Sequence, residues 1–228
     1  MRNKWWAKLL RIIGIVFMSL TAAFTLLGGA GTSCVALNPT GYGDKFAPIA
    51  QVQWLYILFV LLGIAIGIMG VRAVVLLVKG MKNAYRCTFI ALVAGSLVGG
   101  IHMAVSRSLR GSSMPVDAVV YTTVLTLIVF LLFRIPAIWQ GVNFENQEGD
   151  KKTGKHAAAI ALAASGLLTL TIQFLMAPTH TIRGVNYADV WHGALTVIGG
   201  GLILMGGLSA FLPRFSNTPV RKPLVEET

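Results

Sequence analysis

Four histidines, eight carboxylates and two cysteines are the groups in this sequence best suited to hold a metal, a haem or a proton. His102 and His192 are the most suggestive pair. Each stands about one turn inside the end of an apolar run: Gly95 and Gly99 share the face of His102, and Gly199 and Gly206 share that of His192. Glycine-lined faces leave room for a flat group, and two imidazoles at equal depth are what a bis-histidine haem b between helices requires. A small haem b electron-transfer subunit is therefore one reading of the pair. The plainer reading is an imidazole at the membrane interface, hydrogen-bonded to a neighbour or to water. Each of these runs holds a single histidine, which excludes a two-haem cytochrome. A metal between His180, Asp189 and His192 is a third arrangement, with Asp189 and His192 at i, i+3 on one face; no metal site is assigned.

The remaining polar residues near these histidines fall into two similar stretches. Met103-Ala104-Val105-Ser106-Arg107-Ser108-Leu109-Arg110-Gly111 resembles Met176-Ala177-Pro178-Thr179-His180-Thr181-Ile182-Arg183-Gly184, and Asp117 and Asp189 follow them. The helices leading into both stretches also match, Ile90–Leu97 against Ile160–Leu167. Together these read as a tandem duplication of a helical hairpin in parallel orientation, unlike the inverted repeats common among alternating-access transporters. The duplication gathers His102, Arg107, Arg110, Asp117, His180, Arg183, Asp189 and His192 on one side of the membrane. Within each hairpin an ion pair, such as Arg110 with Asp117 or Arg183 with Asp189, accounts for the charges. No nucleophile–histidine–acid set, HExxH or phosphate loop is present, so no catalytic residue is assigned and the chain reads as non-enzymatic.

Pro39-Thr40-Gly41-Tyr42-Gly43-Asp44 resembles the Thr-Val-Gly-Tyr-Gly-Asp filter of potassium channels over five residues. Such a filter implies an ion path lined by carbonyl rings. Here the valine is missing and Pro39 sits where a pore helix would hand over to the filter, so a Gly-rich turn is expected. A solute or ion pathway would further need polar groups at mid-membrane, and the apolar runs offer only Ser, Thr and Gln173.

What positions all these residues is set by composition. Of 228 residues 55% are hydrophobic and 12% charged, with mean hydropathy +0.73; soluble domains carry about 25% charged residues. The apolar residues arrive in blocks of bilayer-spanning length. We read an all-α, polytopic bundle of six transmembrane helices in three hairpins, over approximately 12–31, 52–78, 87–106, 118–139, 157–177 and 190–212. Residues 1–213 form one membrane domain, and 214–228 a flexible tail.

The net charge of +11 follows from topology. Arg2, Lys4, Lys8 and Arg11, then Lys79, Lys82 and Arg86, then Lys151, Lys152 and Lys155, then Arg214, Arg221 and Lys222 all fall on one side. Only Lys45, Arg107, Arg110 and Arg183 fall on the other, while Arg72 and Arg134 can snorkel to the basic side. The positive-inside rule makes both termini cytoplasmic, in the cell membrane. Trp5, Trp6, Trp54, Trp139 and Trp191 all lie near span ends, as interfacial indoles should. The first apolar run is too long for a signal peptide and reads as an uncleaved anchor. Cys34 and Cys87 fall on opposite sides and cannot pair. No basic run is interleaved with aromatics, so nucleic acid is not an expected partner. The expected partners are the lipid bilayer and other membrane subunits, approached through Gly-rich helix faces.

Overall fold

A computed structural model describes residues 4–145, 151–182 and 184–211. Helix α1 (Trp5–Leu37) leads through two 3-10 turns (Pro39–Tyr42 and Ala47–Val52) to α2 (Gln53–Lys79) and α3 (Ala84–Arg110). Then come α4 (Val116–Phe133), the short α5 (Pro136–Val142) and α6 (Lys151–His180). A small ribbon, β1 (Thr181–Ile182) with β2 (Val185–Asn186), and one turn of helix, α7 (Tyr187–Val190), precede α8 (His192–Phe211). Among the described residues six helices are long and apolar enough to cross a membrane. The expected all-α, six-span architecture is therefore present.

Three of the six long helices, α1, α3 and α6, outrun the apolar blocks that announced them. Helix α3 begins at Ala84 and ends at Arg110, well beyond the expected 87–106, and α1 fills Trp5–Leu37. Basic residues at span ends keep their heads in water while their stems lie along the helix, so charge does not stop helix formation. Gly80 does stop α2: at φ 61° its N–H reaches the Leu77 carbonyl while the Met81 N–H reaches that of Leu76, a Schellman closure.

The fourth span departs from expectation. Instead of one helix over 118–139, α4 ends at Phe133 and α5 restarts at Pro136. Proline lacks an N–H and forces its predecessor out of the helical region, and Ile135 is duly extended at ψ 125°. The sixth span begins two residues late, because Trp191 forms a turn between α7 and α8. Within the Pro39–Asp44 stretch, Pro39–Tyr42 form a 3-10 turn whose Gly41 N–H donates to the Asn38 side chain at 3.2 Å, and Gly43 follows at φ 89°.

Helix α1 packs on α2, α2 on α3, α3 on α4 and α6 on α8, while α1 also meets α4 and α6. Two cores mark the ends of the bundle. At the basic end, Ile15, Leu77, Ala84, Phe130, Phe133 and Phe144 bring together α1, α2, α3, α4 and the segment after α5. At the opposite end, Ala36, Ile49, Tyr56 and Val60 pack with Val105 and Leu109. Large apolar side chains also cover the outside, including Leu61, Leu97, Phe174 and Leu204. In water this would be an extensive sticky surface; in hydrocarbon it is the ordinary boundary.

Candidate functional site

Two of the buried polar groups, His102 and Ser106, lie near the end opposite the basic one, on the last three turns of α3. His102, Ser106 and Arg110 recur every four residues and share one helical face. His102 and Ser106 are buried. The His102 ring stacks on Phe59 of α2, centroids 4.5 Å apart and planes at 19°, and meets Tyr56 edge-on at 5.2 Å. Tyr56 and Ser106 share a hydroxyl hydrogen bond of 2.7 Å. Arg110 lies over the Phe46 ring at 5.0 Å and donates to the Met114 carbonyl at 3.0 Å.

Behind His102, a cavity of about 50 Å³ opens between α1, α2, α3 and α4. Missing side chains make it: Gly28, Gly63, Gly95 and Gly99 all line it, with Phe59, Val119 and the imidazole. The same glycines let the helices approach, since a methyl group on Gly28 would stand 2.9 Å from Val119 Cγ2, and one on Gly99 2.9 Å from Val120 Cγ2. His102 is 8% exposed, and its Nε2 is buried with no hydrogen-bond partner.

The expected ion pair forms with a different arginine. Arg107, not Arg110, reaches Asp117, at 3.1 Å. Arg107 Nε also donates to Ser113 Oγ at 2.9 Å, its Nη2 to Tyr121 at 3.1 Å, and Ser113 donates to Asp117. Arg107 reaches the start of α4, while Arg110 lies over Phe46 in the loop before α2. Tyr121, four residues after Asp117, was findable from its i, i+4 spacing. Tyr56 and Ser113 carried no such signal.

His192 is engaged elsewhere. It opens α8, and its Nδ1 lies 2.7 Å from the Gln173 side-chain oxygen on α6. Glycines set that helix pair as well: a methyl group on Gly166 would stand 2.6 Å from the Gly199 carbonyl oxygen, and one on Gly206 2.8 Å from that of Ala159. The described contacts thus hold His102 against α2 and His192 against α6, at the same end of the bundle but on different helix pairs. Asp189 is exposed on α7. Arg183 and the side chain of His180 lie outside the described residues, and with them the second proposed ion pair and the three-ligand metal arrangement. Among the described residues no three His, Cys, Asp or Glu side chains converge as a metal site needs.

The fold and its apolar exterior define an integral membrane protein that crosses the bilayer several times. No protein family matches this chain, and neither the curated proteins nor the solved structures provide a match.

Proposed function

We propose that the protein is a non-enzymatic assembly subunit that docks a transmembrane helix of a partner subunit against α8. The observation that carries this reading is the division of α8 into two glycine faces. Gly199 and Gly206 are buried against α6. Gly193, Gly200 and Gly207 form a second row at heptad spacing, with nothing within 4 Å of where a methyl group would stand.

Large exposed side chains alternate with this open row. Val197, Leu204 and Phe211 also recur every seven residues, and they are 75%, 68% and 88% exposed. Large and absent side chains alternating at steps of three and four make knobs and holes for a second helix. Lipid tails gain nothing from such a surface, whereas a facing helix gains close backbone approach. In this reading residues 1–213 act as one membrane domain in the cytoplasmic membrane, both termini and the 214–228 tail being cytoplasmic. The outward His/Arg/Asp cluster braces the ends of the hairpins.

The test is the mass of the intact protein extracted in mild detergent, read by native mass spectrometry. The wild type is expected in a complex heavier than its own 24.4 kDa, and Gly200→Leu is expected to release it as a single folded chain. A wild type that runs as one chain, or a complex indifferent to Gly200→Leu, overturns the proposal.

A further inference from the structure

We infer that Arg134, set against Tyr85 and Trp139 at the basic end of the bundle, anchors the headgroup of one anionic phospholipid whose tails lie along the outside of α4. The site uses none of the α8 face and does not depend on the docking proposed there.

The anchor is an exposed guanidinium held in place. Arg134 follows the last residue of α4, and its Cζ stands 5.2 Å from the Tyr85 ring centroid and 4.8 Å from that of Trp139. The two rings meet edge-on at 5.1 Å and so form a corner. Tyr85 is itself fixed, because its hydroxyl donates to the Phe130 carbonyl at 3.0 Å. Ring faces attract the cation but offer no oxygen to its N–H groups.

Those N–H groups are otherwise unused. Among the described residues Arg134 gives no side-chain hydrogen bond to a protein oxygen and pairs with no carboxylate; the exposed Glu145 does not reach it. The carbonyls that close α4 do not compete for an anion's place. Tyr85 takes that of Phe130, while the backbone N–H groups of Arg134 and Ile135 take those of Leu131 and Leu132. A phosphate matches what is left over, since two of its oxygens accept the paired N–H groups of one guanidinium.

Depth and lining turn a phosphate site into a lipid site. Tyrosine and tryptophan settle at the headgroup level, which puts the guanidinium beside lipid phosphates. Toward mid-membrane, Leu125, Ile128 and Leu132 recur at steps of three and four and are all exposed. They form one apolar stripe on α4, joined by Leu131 one turn before Arg134. A lipid thus meets both its phosphate contact and its tail contact on one helix, whereas a free phosphate ion meets only the first. Charge then selects the headgroup. Lys82 and Arg86, exposed on either side of Tyr85 in the sequence, add positive charge at this end, which favours a headgroup with a net negative charge over one that brings its own ammonium.

The experiment is native mass spectrometry of the full chain with phosphatidylglycerol or phosphatidylcholine of identical tails, each bound lipid being read as an added mass. One phosphatidylglycerol is expected to bind at least about tenfold more tightly than phosphatidylcholine, the worth of a charge-assisted hydrogen bond. Arg134→Gln is expected to erase that preference, and Lys45→Gln, which removes a charge at the opposite end, to keep it. Inorganic phosphate is expected not to displace the lipid. Should Arg134→Gln not fold, the wild type alone decides: phosphatidylglycerol with photoactivatable tails is expected to label Ile128 and Leu132 several-fold more than the matching phosphatidylcholine does, while Leu61 of α2 is labelled equally by both. Equal affinity for the two lipids, a preference kept in Arg134→Gln or lost in Lys45→Gln, displacement by inorganic phosphate, or equal labelling of Ile128 and Leu132 by the two probes overturns the inference.

Discussion

Hydroxyl groups inside the bundle find their partners across helices as well as along them. Thr126 donates to the Thr122 carbonyl at 2.8 Å, so Thr21, which stands 2.7 Å from Thr126 Oγ1, supplies the hydrogen that joins α1 to α4. Tyr56 and Ser106 join α2 to α3 in the same way. Such bonds contribute on average about 0.6 and at most about 1.7 kcal/mol in a membrane bundle. Tyr56→Phe is expected to lower stability by an amount in this range, read by steric trapping in bicelles. Adding Ser106→Ala should then cost little more, since the bond is already gone. Little of this was legible in the sequence, because the partners are 50 and 105 residues apart and threonine looks alike wherever it falls in an apolar run. The histidines stand out in the sequence, but not what surrounds them. Sequence can place two imidazoles at one depth; which neighbour each faces depends on the rotation of its helix and on which helices pack together. Arg11 illustrates the same limit: it reads as part of a basic flank, yet it is 6% exposed.

At the scale of helices, small residues do the positioning, and their spacing is plain in the sequence. Gly199 and Gly200 are adjacent in sequence and opposite in role. A methyl group on Gly199 would stand 2.8 Å from Leu170 Cγ and 2.9 Å from the Gly166 carbonyl oxygen, while Gly200 faces open space. Gly199→Leu is expected to force α6 and α8 apart at a cost of at least about 1–3 kcal/mol, seen as a lower melting temperature and loss of a disulfide engineered between the two helices. Gly200→Leu should leave both unchanged. The heptad of glycines announces a packing face, but only the fold divides it into an occupied row and an open one. The break at Pro136 escapes the sequence reading for a different reason: the hydropathy continues through it, and a window of apolar residues does not register a missing N–H. The nine-residue likeness between the stretches at 103–111 and 176–184 falls partly on residues outside those described, and so stays a property of the sequence.

For the whole molecule, the count of crossings was legible in the spacing of the apolar blocks, because a bilayer accepts few backbone arrangements. Cys34 and Cys87 are both free, as two cysteines near opposite ends of the bundle must be. If the basic end is cytoplasmic, a membrane-impermeant maleimide is expected to label exposed Cys34 in right-side-out vesicles and to spare Cys87 until the vesicles are opened. The reverse pattern would invert the proposed orientation.

Helix α4, closed off by the Pro136 break, has a consequence for the surrounding lipid. Its 18 residues reach about 27 Å, while the 27 residues of α3 reach about 40 Å. Arg134, just past the end of α4, is clasped over Tyr85 at 5.2 Å and Trp139 at 4.8 Å, which fixes where that wall stops. The long helices can lean to suit a thicker membrane; the short one has no length to spare. Acyl chains beside it must shorten to meet it, so the protein should prefer slender bilayers. Its melting temperature is expected to fall as the phosphatidylcholine tails of the host nanodisc lengthen from 14 toward about 22 carbons.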